Sequence, residues 1–281
     1  MADGCTIGAR RVGPRTFLFK NKDLVYEDFK DHAVFGEDYF AISGVNIQDG
    51  EQAGFSIGVN RAGLAACSAT VLINNEKPYD VLLETIIREA ADLDSAYEIV
   101  QTSLEEGHRY QWCNFAVATP LELGVIEIGD GVSDIEVDRD GLARANHHLK
   151  LPTTDIVSAA SDEEREAGGP LGTSQRRRQD TSRMLRTAST LADIIKILSH
   201  HSETMGFDSI CRHRDAPSLS SQYLGETAYS YIIEITNLPP ADLEIVFHVS
   251  RGNPCTVPYK SIPIEFNAPE DEKNRVLLEF P

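Results

Sequence analysis

Residues 1–11 read MADGCTIGARR, and the fifth is a cysteine directly behind a glycine. A thiolate is a strong nucleophile whose reactivity depends on a lowered pKa or an adjacent base. If the Gly4–Cys5 peptide bond were cut, Cys5 would become a new N-terminus. Its α-amine, with an ordinary pKa of about 7.7–8.0, could then take the thiol proton, so one residue would supply both nucleophile and base. Gly4 has no side chain to hinder attack on its own carbonyl, which suits cleavage by the same thiol. The alternative is an N-terminal strand whose cysteine only packs in a core, and position alone favours it.

Other clusters compete with this one. His147-His148, His200-His201 and Cys211-Arg212-His213 are the histidine- and cysteine-bearing stretches that suggest a metal site. Zinc ligands come most often in tight pairs such as CxxC or HxxxH. Adjacent histidines point to different sides, so capping or surface histidines are expected and no metal ligands are assigned. Arg176-Arg177-Arg178 reads as one solvated helix face, with a coenzyme A phosphate as the alternative contact. Gly168-Gly169-Pro170-Leu171-Gly172 has no following Gly-Lys-Ser/Thr, so a nucleotide P-loop is absent. No G-x-S-x-G elbow is present either.

These residues need elements to position them. CTIGARRV and TFLFKNKD are short strands separated by the Gly13-Pro14 turn. AVFGEDYFAISGV, GFSIGVN and GLAACSATVLI continue the strands to about residue 75. After Pro78, Val81, Leu82, Ile86, Ala90 and Leu93 gather on one helical face. DSAYEIVQTSLEEG predicts a second helix, capped by Asp94 or Ser95 and stopped at Gly107. CNFAVATP, LGVIEIGD and SDIEVDRDG predict consecutive antiparallel strands joined at Asp-Gly 130–131 and 140–141. A polar loop from 158 runs into a helix over roughly 174–201, and AYSYIIEIT, LEIVFHVSRG and KSIPIEF close the chain as strands. This order is not the strand–helix alternation of a doubly wound sheet; it suits a layered α+β domain of antiparallel sheets covered by helices.

DGCT followed by FKNKD resembles the start of the mature chain in N-terminal-nucleophile (Ntn) hydrolases. The branch it is most similar to is the acyl-coenzyme A:6-aminopenicillanate (isopenicillin N) acyltransferase family. Penicillin V acylases and bile salt hydrolases are more distant in resemblance. The superfamily's Asn-x-Asp is matched by Asn21-Lys22-Asp23, and the resemblance implies that Asp23 holds the nucleophile's amino group. GVNRAGLAACSATV resembles the family's G-x-N-x-x-G hairpin, whose following strand lines the pocket. RANHHL resembles its Ala-Asn-His segment, which makes Asn146 the implied oxyanion donor, with a backbone N–H near CSAT as a second. DSICRH resembles the segment that places an arginine near the nucleophile, here Arg212, which could also pair with Asp23. Agreement in order and approximate spacing turns the reading of Cys5 to a catalytic one. Two departures stand: only four residues precede Cys5, and Lys20 replaces an arginine found in bile salt hydrolases.

The implied architecture is a four-layer αββα sandwich, with residues 1–4 a short propeptide and 5–281 a single domain. The implied activity is an amidohydrolase or acyltransferase acting through an acyl-enzyme at Cys5, with no metal or redox cofactor. The alternative is an unprocessed, catalytically silent relative that binds a small acylated ligand. The expected partner is a small acyl-amide, with an acyl-coenzyme A donor left open, and a homo-oligomer is compatible with the sequence. A net charge of −18, from 44 acidic against 26 basic residues, disfavours nucleic acid and anionic membrane as partners. The lysine-poor acidic composition also suits a salt-rich cytoplasm. No long apolar run and no basic-then-apolar leader is seen, so a cytoplasmic location is expected. Five dispersed cysteines without CxxC point to reduced thiols.

Overall fold

The Gly13-Pro14 turn closes the first two strands, β1 (Gly4–Val12) and β2 (Arg15–Leu24), into an antiparallel hairpin with unbroken register from Gly4↔Asp23 to Val12↔Arg15. Side chains alternate across a strand. Cys5, Ile7 and Ala9 therefore face one way, into an apolar cluster between two sheets, together with Leu18 of β2. Phe17 and Phe19 face the other way, into a second cluster beneath helices. The computed structural model describes residues 4–25, 29–45, 51–151, 161–162, 169–203, 205–214, 225–238 and 242–281. Residues 1–3 of the expected propeptide and most of the expected polar loop between 152 and 168 lie outside the described residues.

The hairpin sits in a six-stranded sheet of order β10-β1-β2-β11-β12-β13. Its other strands are β10 (Gly141–Arg144), β11 (Glu226–Leu238), β12 (Asp242–Arg251) and β13 (Lys260–Pro263). The second sheet has seven strands in simple sequence order: β3 (Ala33–Phe35), β4 (Tyr39–Val45), β5 (Gln52–Asn60), β6 (Ala65–Leu72), β7 (Trp112–Ala118), β8 (Leu123–Gly129) and β9 (Val132–Asp138). All named strand pairs are antiparallel. Helices α1 (Tyr79–Glu89) and α2 (Leu93–Glu105) cover the outer face of the seven-stranded sheet through Leu82, Leu83, Ile86 and Val100. Helices α3 (Pro170–Leu185) and α4 (Leu191–Leu198) cover the six-stranded sheet through Leu185, Ile194, Ile197 and Leu198. The layers are helix, sheet, sheet, helix, as expected. No helix among the described residues is long and apolar enough to cross a membrane.

Several local expectations are corrected. Asp130 and Gly131 both take positive φ, as a two-residue primed turn requires, and join β8 to β9. The second Asp-Gly makes no hairpin: after it β10 leaves for the other sheet and pairs with β1. AVFGEDYFAISGV is two strands, β3 and β4, not one. The cap of α2 is Asp92, whose side chain accepts from Ser95 N–H while Ser95 bonds back, a complete capping box. The helix expected over 174–201 is two, because Thr190 and Asp193 form a second capping box that restarts it. A fifth helix, α5 (Glu270–Leu278), follows the last strand. The expected solvated arginine run holds only in part: Arg177 is 1% exposed, while the Arg176 side chain is 41% exposed.

Candidate functional site

The register of the β1–β2 hairpin brings Gly4 opposite Asp23 and Cys5 opposite Lys22. β10 lies along the other edge of β1, so the residues leaving its C-terminal end, Ala145 and Asn146, reach the same spot. Thr227, at the start of β11 beside a register shift, is paired with Asp23. Its hydroxyl donates to Asp23 Oδ1 at 2.8 Å and accepts from Arg212 N–H at 3.0 Å. The four residues singled out from the sequence therefore converge from β1, β2, the end of β10 and the segment ahead of β11.

The contacts centre on the Gly4–Cys5 peptide. The Cys5 N–H donates to Asn146 Oδ1 at 3.3 Å. A Cβ on residue 4 would stand 2.9 Å from Arg212 Nη2 and 3.4 Å from both Asn146 Oδ1 and Asp23 Oδ2. Only glycine fits there without displacing the guanidinium. That guanidinium is buried, 3.4 Å from Asp23 Oδ2 and 4.1 Å from the centre of the Phe207 ring. Among the described residues, Asp23 Oδ2 accepts no hydrogen bond, and Arg212 Nε and Nη1 donate none. Such unmet polar capacity in a buried place is costly unless a partner arrives.

Burial dominates the thiol. It pushes the Cys5 pKa up, while the fields of Lys20, Lys22 and Arg177 pull it down and that of Asp23 adds to the rise. Lys20 is the strongest of the lowering fields, although its replacement of arginine had counted against a role for it. Its Nζ bridges the two sheets, donating to Ser56 O at 3.1 Å and Ser68 Oγ at 3.2 Å. Ser68 in turn donates to Asp80, whose carboxyl burial raises to about 6.

Asn146 is held on both sides of its side-chain amide. Its Nδ2 donates to Thr70 O at 2.7 Å, while its Oδ1 receives both Cys5 N–H and Arg177 Nη2. Two donors on one side and a carbonyl on the other fix this orientation of the amide. The CSAT strand thus presents the Thr70 carbonyl to Asn146. Asn21 and Asn60, from the two asparagine motifs, are structural ties. Asn21 donates to Leu198 O and Ile210 O, and Asn60 to Ile87 O and Ala90 O.

Arg177 is the residue that sequence reasoning missed. Its Nη1 donates to the Cys5 carbonyl at 2.8 Å and to Thr6 Oγ1 at 3.1 Å. Burial, with Arg212 nearby, lowers its pKa to about 10, so it stays a cation. Thr173, Ser174, Arg177, Thr181 and Leu185 form the buried stripe of α3 at helical spacing. That spacing is visible in the sequence, but the stripe is polar and escapes a search for apolar periodicity. His147 and His148 are also buried rather than surface residues, bonded to Ser174 Oγ and Cys113 O.

By sequence, the chain matches no family model and no curated protein. By structure it is similar to penicillin V acylase from Agrobacterium tumefaciens, with a TM-score of 0.51 at 9% identity, over 93% of this chain and 86% of that one. The fold is that of an Ntn hydrolase. In the Ntn fold seen here, the nucleophile candidate lies on the inner strand pair of one sheet, with both edges of β1 supplying its neighbours.

Proposed function

We propose that the chain is a cysteine Ntn amidohydrolase that matures by cutting its own Gly4–Cys5 bond. The observation that carries this is the placement of that peptide among Asp23, Asn146 and Arg212, with Asp23 Oδ2 buried and lacking a hydrogen-bond donor. In maturation the Cys5 thiol adds to the Gly4 carbonyl, the Cys5 nitrogen leaves as an amine, and water hydrolyses the thioester to free the Gly4 carboxyl. The new ammonium then has Asp23 Oδ2 as its acceptor, a charge-assisted bond the uncut chain cannot make.

In turnover the α-amine takes the thiol proton as Sγ attacks an acyl-amide carbonyl, and returns it to the departing amine. Water then releases the acid. Arg212 holds Asp23 through Nη2, and its Nε and Nη1 are buried without hydrogen-bond partners among the described residues, so the guanidinium keeps donors for a developing or bound anion. Arg177 fixes β1 through the Cys5 carbonyl. Asn146 Nδ2 carries two hydrogens and gives one to the Thr70 carbonyl, which leaves the second for the oxyanion. Water is the acceptor in this reading; an amine acceptor with an acyl-coenzyme A donor would use the same acyl-enzyme. We place the activity in a reducing, cytoplasmic setting, where Cys5 stays a thiol.

Intact-mass measurement of the purified chain is the test, coupled to a panel of acyl-amides. The expected product begins at Cys5 and hydrolyses at least one panel member, with iodoacetamide on Cys5 abolishing turnover. Cys5→Ala keeps residues 2–4 and is inactive. A wild-type chain that keeps residues 2–4 and turns over nothing overturns the proposal.

A further inference from the structure

A second cluster of chemistry-bearing side chains lies beside the site and takes no part in the proposed reaction. His201 follows α4, Cys211 and His213 flank Arg212, and Cys255 sits in the turn between β12 and β13. One ligand atom from each of these four lies within 4.8 Å of every other. The separations are 3.1 Å from His201 Nε2 to His213 Nε2, 3.5 Å from Cys211 Sγ to Cys255 Sγ, 3.8 Å from Cys211 Sγ to His213 Nε2 and 3.2 Å from His213 Nε2 to Cys255 Sγ. A tetrahedron built with the usual Zn–S and Zn–N bond lengths has edges of about 3.3–3.8 Å. These four edges fall on or close to that range.

We propose that His201, Cys211, His213 and Cys255 form a structural Cys2His2 site for a zinc ion. Two soft thiolates and two imidazoles in a tetrahedral disposition select zinc over hard, oxygen-preferring cations. Four protein ligands leave no open position, so the site is structural rather than catalytic. Binding needs no redox step: each thiol gives its proton to solvent as its sulfur bonds the metal, and each histidine binds through Nε2 as the neutral ring.

The surroundings are built for it. Cys211 and His213 both reach the cluster while Arg212 between them reaches Asp23. Asn253 Nδ2 donates to Arg212 O at 2.6 Å and lies 3.7 Å from Cys211 Sγ, tying the two segments together and meeting a ligand sulfur. Metal ligands are oriented by such outer contacts. The ion would therefore clamp both neighbours of Arg212 to the β12–β13 turn and to the end of α4, which sets where the guanidinium stands. Cys211 is buried and Cys255 exposed, which gives a metal a path from solvent.

The test uses the full chain, purified under reducing conditions, and reads metal content rather than activity. About one zinc per chain is expected by elemental analysis, together with cobalt(II) substitution that gives the intense visible bands of a tetrahedral thiolate complex. Cys255→Ser, at an exposed position where folding is not at stake, should abolish the bands and drop zinc retention at least tenfold; Cys211→Ser should do the same. Zinc should also raise the thermal midpoint of the metal-free wild type and not that of Cys255→Ser. A wild type that retains no zinc and gives no cobalt bands overturns the proposal. So does a Cys211–Cys255 disulfide that persists in reductant, or a Cys255→Ser chain with unchanged cobalt bands. Because the readout is independent of turnover, failure here leaves the amidohydrolase reading standing, and the reverse also holds.

Discussion

At the scale of single residues, the thiol of the uncut chain is electrostatically restrained: burial raises its pKa and three nearby cations only partly offset this. Cleavage would change the balance by adding an ammonium beside it. Lys20, the strongest lowering influence, can be tested on the matured chain. Removing a cation raises the pKa of a neighbouring thiol, so Lys20→Met should move the pH profile of Cys5 alkylation to higher pH. A profile unchanged in midpoint would remove Lys20 from the site and leave it as the inter-sheet tie to Ser56 and Ser68. Gly4 belongs to this scale as well, because its missing Cβ is what lets Arg212 approach the peptide.

At the scale of elements, α4 shows how small devices carry the site. Thr190 accepts from Asp193 N–H and Asp193 bonds back to the Thr190 and Ser189 N–H groups, which holds its carboxyl below the usual range. Thr190→Ala should cost about 1 kcal/mol of stability, read by urea denaturation, because α4 is short and leans on its cap. The effect should spread to the site, since Asn21 of β2 grips Leu198 O at the end of α4. Much of this level was legible in the sequence: strand alternation, the Asp130-Gly131 turn and the Pro78 break are local signals, and the structure follows them. What was not legible depended on distance or on polarity. The crossing of β10 to the other sheet is a tertiary choice that no nearby residue announces. Arg177 is hidden by a buried stripe of threonine and serine. Cys5, Asp23, Asn146 and Arg212 could be grouped only by resemblance. Of the His201–Cys255 cluster, His201, Cys211 and His213 stand out in the sequence, but without a regular ligand spacing nothing joins them to one another or to Cys255. Helix α5 was missed because its apolar residues, Val276, Leu277 and Leu278, are adjacent in sequence and show no helical period, although Val276 and Leu277 pack against the core between the sheets.

At the scale of the whole molecule, stability should fall in acid for two buried reasons near β8 and β10. Burial, with Arg178, Arg177 and Arg144 close by, lowers the pKa of His147 from 6.5 to about 3. Between those values the unfolded chain binds the proton and the folded chain does not, so stability is lost as pH falls through that window. His147→Asn should flatten the stability–pH curve between pH 6.5 and about 3 in denaturant titrations at a series of pH values; an unchanged slope would contradict it. Glu127 adds a lower window. Burial alone would raise its pKa, but the N–H groups of Leu149, Lys150 and Leu151 and the Arg144 cation hold it below 4.5. A carboxyl so depressed contributes stability above its unfolded value that is lost on further acidification. The segment joining the two sheets is thus the acid-sensitive part of the molecule.

The hairpin register has a consequence for how this chain tolerates change. Its ladder runs without interruption from the rung of Gly4 and Asp23 to the turn at Gly13, so it works as a ruler that counts in whole residues. Lengthening the turn leaves the count intact. Deleting one residue of β1 between Cys5 and the turn moves Cys5 to the rung of Asn21 and reverses its face, sending the sulfur toward the helices. Most point substitutions along β1 would alter the site by degree; a single-codon deletion there would switch it off outright.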